Sequence, residues 1–125
     1  MTTKRIIPTE SQEQQTLFAW ARLMEKKHPE LEFLTHIPNG GFRNKSEAAR
    51  FKAEGVRKGF PDIILPVARQ GYHSLAIELK RRQGGRLTTE QRYWLNNLTR
   101  QGWYARVCNG ADEAIRVIDW YLRGD

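Results

Sequence analysis

The chain has 125 residues, enough for one domain around one hydrophobic core, and no apolar run approaches the ~18 residues of a membrane span. Twenty-one Lys and Arg against fourteen Asp and Glu leave a net charge of +7 and a pI near 9.9, which points to a polyanionic partner, nucleic acid first. The single Cys108 excludes an internal disulfide framework, and no Cys and His have the spacing of a structural zinc site, so a reducing compartment is expected.

Residues 1–125 read as one compact unit without repeats, low-complexity tracts or a linker. From about Glu10 to Lys27, Leu17, Ala21 and Met24, with Trp20 and Leu23 beside them, recur at helical spacing until Pro29 interrupts them. Phe33 to Ile37 reads as a short strand, closed by the turn residues Pro38-Asn39-Gly40-Gly41. A helix from Ser46 to Glu54 ends at Gly55, with Lys45, Arg50, Lys52, Arg57 and Lys58 around it.

Pro61 to Leu65 has the apolar run of a buried strand, and Tyr72 to Lys80 reads as a second strand that pairs with it as a hairpin across Arg69-Gln70-Gly71. Thr88 with Gln91 three residues later has the form of a capping box, and Trp94, Leu95 and Leu98 give the following helix an apolar face up to Gly102. Trp103 to Cys108 is a further strand and Asn109-Gly110 a turn. Asp112 starts a last helix with Ala114, Ile115, Ile118 and Leu122 facing inward. The order of elements predicts an α/β fold, a mixed β-sheet flanked by helices.

Alternation along the strand to Lys80 puts Leu75, Ile77 and Leu79 on one face and Ala76, Glu78 and Lys80 on the other. Same-face neighbours stand about 6.6 Å apart, so a carboxylate and an ammonium can converge on one ion or one phosphate. Asp62, at the head of the neighbouring strand, can add a second carboxylate, and two hard oxygen donors suit Mg²⁺. The competing reading is an ordinary solvated pair on an edge strand. Against it stands the order Gly59-Phe60-Pro61-Asp62, apolar run, turn, apolar strand, Glu78-Leu79-Lys80.

In these two halves the sequence resembles the PD-(D/E)xK nuclease superfamily and, more narrowly, the VRR-NUC (virus-type replication-repair nuclease) domain. The shared features are Glu10 and Gln14, Ile37-Pro38-Asn39-Gly40-Gly41, Gly55, Gly59-Phe60-Pro61-Asp62, Ile77-Glu78-Leu79-Lys80, Gly85-Arg86-Leu87 and Gln91. The resemblance implies a restriction-endonuclease-like core in which Asp62, Glu78 and the backbone carbonyl of Leu79 bind Mg²⁺ or Mn²⁺ and Lys80 is the catalytic lysine. It also implies a glutamate from the first helix, for which Glu10 is the candidate and Glu13 the alternative.

Gln91 has two readings, a capping glutamine and an amide that reaches the site. Arg43, Lys45, Arg50, Lys52, Arg57, Lys58, Arg81, Arg82 and Arg86 bracket both motif halves, as a phosphate-tracking surface would. The expectation is therefore a metal-dependent DNA endonuclease, cytoplasmic and without membrane contact. The resemblance further implies a homodimer acting on branched DNA such as Holliday junctions. The rival is a non-catalytic nucleic-acid-binding module on the same fold.

Overall fold

The computed structural model describes residues 6–38 and 44–125. Its elements are α1 (Glu10–Met24), β1 (Thr35–His36), α2 (Lys45–Ala53), β2 (Ile63–Leu65), β3 (Leu75–Lys80), α3 (Thr89–Arg100), β4 (Tyr104–Asn109) and α4 (Ala111–Arg123). The four strands form one mixed sheet in the order β1-β2-β3-β4. β2 pairs antiparallel with both β1 and β3, and β4 joins β3 in parallel through the α3 crossover. Among the described residues no helix is long and apolar enough to cross a membrane.

Two apolar layers sandwich the sheet. Leu75, Ile77 and Leu79 of β3 pack with Leu17 and Ala21 of α1 and with Ala114, Ile118 and Tyr121 of α4. Ala76, on the opposite face, packs with Ile64, with Ala105 and with Leu95 and Leu98 of α3. The alternation expected for this strand is therefore present, but every residue from Leu75 to Lys80 is buried. β3 is a central strand covered on both faces, so the solvated edge pair considered for Glu78 and Lys80 does not exist.

Several boundaries differ from the sequence expectation. The first helix stops at Met24, and Pro29–Phe33 forms a 3₁₀ turn that buries Leu31 and, just after it, Leu34. That turn takes up Phe33 and shortens the expected strand to Thr35–His36. The hairpin strand begins at Leu75, not Tyr72, although Arg69 and Tyr72 form an isolated bridge. Asn39-Gly40-Gly41 lies outside the described residues.

Candidate active site

The antiparallel pairing of Ile64 with Ala76 and Ile63 with Ile77 leads, one step further, to Asp62 beside Glu78. Alternation turns Asp62, Ile64, Ala76 and Glu78 to the same side of the sheet. The start of β2 is held firmly. The Asp62 carbonyl accepts from the Ile37 N–H at 2.7 Å and from His36 Nδ1 at 2.9 Å. The Asp62 carboxylate in turn accepts from the Leu79 N–H at 3.0 Å, which fixes its direction relative to β3.

The N-terminus of α1 brings in the third acid. Thr9 caps this helix in a reciprocal capping box with Gln12, which sets where the first turn begins. Glu10, Asp62 and Glu78 each present one carboxylate oxygen, and the three atoms lie within 4.8 Å of one another. Glu10 is exposed, Asp62 half-buried and Glu78 only 4% exposed. Lys80 is also buried, with Nζ 3.9 Å from Glu78 Oε2. Gly85 closes over its stem, since a Cβ at that position would stand 2.9 Å from Lys80 Cβ.

Residues 3–112 match the sequence model of the VRR-NUC domain. The chain belongs to the VRR-NUC family. A solved structure described as a VRR_NUC domain protein superposes with a TM-score of 0.82 at 32% identity, covering 94% of this chain and 91% of that one. No curated protein matches the chain. The VRR-NUC domain thus has a nuclease-type fold. Both motif halves, Glu10 and Gln91 fall inside the matched span.

Electrostatics single out the acid cluster of this VRR-NUC domain. Burial, reinforced by the neighbouring Asp62 and Glu10 and opposed by Lys80, pushes the Glu78 carboxyl up to about 8. Burial also raises Asp62 to about 6, opposed by the Leu79 N–H and assisted by the Glu10 charge. Three carboxylates in one half-buried space repel one another, and a hard cation with oxygen ligands offsets that repulsion directly. The donor set therefore fits a divalent metal.

Glu13, one helical turn beyond Glu10, is used differently. It is 1% exposed and accepts four hydrogen bonds, from Arg82 N, Nε and Nη2 and from Ala111 N. The Arg82 guanidinium, first among these, pulls its carboxyl down to about 2. Of the two first-helix carboxylates, Glu10 joins the cluster and Glu13 ties α1 to the end of β3 and the start of α4. Glu13 shares one inward stripe with Leu17 and Ala21 at four-residue spacing.

The remaining expected residues are placed as follows. Gln91 is half-buried and completes the capping box of α3, its amide oxygen accepting from the Thr88 N–H at 2.9 Å. Only its amide nitrogen is left for a further contact. Lys45, Arg50 and Lys52 are exposed on α2, and Arg57, Lys58 and Arg86 are exposed in loops. Arg81 is half-buried, and its Nε is buried without a hydrogen-bond partner. Arg82, expected on charge alone to meet phosphate, instead commits its fork to Glu13. Arg43 lies outside the described residues. Sequence reading passed over His36, whose ring bonds the Asp62 carbonyl across a separation of 26 residues that no local pattern reveals.

Proposed function

We propose that this VRR-NUC domain is a Mg²⁺- or Mn²⁺-dependent deoxyribonuclease that hydrolyses DNA phosphodiester bonds. The observation that carries the reading is the convergence of Glu10, Asp62 and Glu78 within 4.8 Å beside the buried Lys80. A binding-only protein gains nothing from three carboxylates aimed at a phosphate-facing space, since each repels the polyanion it must hold. Asp62, Glu78 and Glu10 would hold the cation, with the Leu79 carbonyl as a further oxygen donor. Once bound, the cation supplies charge to offset the transition state and makes a water easier to deprotonate.

The chain's own groups do the rest. Lys80, held against Glu78, positions the attacking water or a non-bridging phosphate oxygen in line with the scissile bond. The Leu79 N–H holds the Asp62 carboxylate in its orientation, so this ligand is pre-organised relative to β3. Gln91, at the start of α3, can offer its amide nitrogen to the same phosphate. Exposed Lys45, Lys52, Arg57, Lys58 and Arg86 track the flanking backbone, together with the half-buried Arg81 that follows Lys80 in the chain. In the fuller form of the proposal the substrate is branched DNA such as a Holliday junction and the enzyme a homodimer, whose two sites suit paired incisions.

The test is to incubate labelled duplex, flap and four-way-junction DNA with and without Mg²⁺ or Mn²⁺, alongside Asp62→Ala. Cleavage that needs the metal and vanishes in the variant is expected. Cleavage persisting in EDTA or in Asp62→Ala would overturn the reading, and binding without cutting would favour the non-catalytic module. Light scattering decides the dimer, which a concentration-independent monomer mass would exclude.

A further inference from the structure

A second feature lies where the loop leading to Asp62 meets the start of α3. Arg57, Lys58, Thr89, Glu90, Tyr93 and Trp94 line an open groove of about 540 Å³, within the ~300–1,000 Å³ of clefts that accept small ligands. Its lining combines the rings of Tyr93 and Trp94 with the basic side chains of Arg57 and Lys58. Tyr93 is 61% exposed, on a helix that buries Leu95 and Leu98 on its other side. Behind it the rings of Trp94 and Phe60 continue inward, Tyr93 to Trp94 at 5.8 Å and Trp94 to Phe60 at 5.1 Å, both edge-on. These contacts brace the tyrosine and leave most of it to solvent.

We infer that this groove holds an unpaired nucleotide of the bound DNA, with its base stacked on Tyr93 and its phosphates on Arg57 and Lys58. The inference deepens the nuclease reading and rests on it, because DNA at the carboxylates brings a strand past this groove. Lys58 precedes Asp62 by four residues, so even a fully extended chain separates them by no more than about 14 Å. That is only a few nucleotides along a strand whose phosphate sits at the cluster.

The chemistry selects an unpaired base. Within a duplex both faces of a base are already stacked, so an exposed protein ring can gain contact only with a base outside the stack. Lys58 and Arg57 match the strand's charge. The groove's one carboxylate, Glu90, faces Lys58 at 3.9 Å across a pair that is exposed on both sides and therefore of little worth. Gly59 keeps the basic loop against α3, because a Cβ there would fall 2.6 Å from Glu90 backbone and side-chain carbons.

The test measures binding of a short oligothymidylate and of a blunt duplex to wild type, Tyr93→Ala and Tyr93→Phe, in EDTA so that no cleavage is required. The expected result is that Tyr93→Ala lowers the ratio of single-strand to duplex affinity about 5- to 150-fold, while Tyr93→Phe keeps it. Equal losses on both probes, no loss on either, or a Tyr93→Phe that falls with Tyr93→Ala each overturn the inference. A Tyr93→Ala that changes the light-scattering mass while single-strand affinity holds also overturns it, by assigning the groove to a second copy of the chain. Failure of wild type to cut any DNA in Mg²⁺ or Mn²⁺ refutes the nuclease reading separately, since the EDTA binding ratio does not depend on it.

Discussion

Replacing Glu78 by glutamine should flatten the pH dependence of the metal-free protein's stability. Glu78 is 4% exposed, and its carboxyl is raised from the ordinary 4.5 to about 8. A carboxyl whose pKa is higher in the folded than in the unfolded chain supports folding fully at pH below the unfolded value. That support is lost as pH climbs through the folded value. At about 1.4 kcal/mol per pH unit, ionising Glu78 in place costs up to about 5 kcal/mol. Less than about 1 kcal/mol of that is felt near pH 5 and about 4 kcal/mol near pH 8, a loss of about 3 kcal/mol across the window. For a domain of this size such a loss lowers Tm by about 10 °C. Asp62, raised to about 6, adds to the same slope. The assay is thermal unfolding by circular dichroism in EDTA from pH 5 to 8, on wild type and Glu78→Gln. A wild-type Tm that stays level over this range, or a glutamine variant with the same slope, would refute the reasoning.

Mn²⁺ or Mg²⁺ at a hundred times its Kd should stabilise wild type by about 2.7 kcal/mol at pH 8. Asp62→Asn should lose most of that gain in a thermal-shift assay, and equal stabilisation of both proteins would place the ion elsewhere. Glu13→Gln should remove stability in the opposite pH window. The carboxyl held down to about 2 supports folding above its unfolded value of 4.5 and loses that support as pH falls through about 2. Wild type should therefore lose about 2 kcal/mol more than the variant on acidification, after allowance for the half-exposed Arg82, and parallel acid transitions would contradict this. Gly59→Ala places a Cβ 2.6 Å from Glu90 carbons and 2.8 Å from the Gln91 nitrogen at a φ of +88°. Urea unfolding should show a loss of roughly 2–4 kcal/mol, and a loss below about 0.5 kcal/mol would mean that α3 yields freely.

The period-two pattern from Leu75 to Lys80 was enough to place Glu78 and Lys80 on one face, and the register with β2 bears it out. Their burial was not readable there. Their strand is central because β4 pairs along its far edge and the residues of α3 cover the same face at Ala76, contacts made by residues far along the chain. The 3₁₀ turn at Pro29–Phe33 escaped because Pro29, Leu31 and Phe33 alternate with Glu30 and Glu32, a strand-like period in a segment too short to show a helical one. Glu10 and Glu13 were indistinguishable by residue type. Only their partners separate them: Arg82 and Ala111 claim Glu13, and two strand carboxylates meet Glu10. Gln91 shows the reverse case, in which a local rule read from four residues describes the observed hydrogen bonds completely.

The Glu13 clamp also links the helix that carries Glu10 to segments made late in the chain. It joins α1 to Arg82 across 69 residues and to Ala111 across 98, so the helix that carries Glu10 receives its last buried hydrogen bond only after the chain has been made past β4. Contacts this distant are the slowest to close, since their loop entropy is lost before any packing repays it. A nascent chain still missing α4 has Asp62, Glu78 and Arg82 but lacks the Ala111 N–H and the apolar face of α4 against which α1 packs. The helix that carries Glu10 therefore has its full set of anchors only when nearly all of the chain has been synthesised.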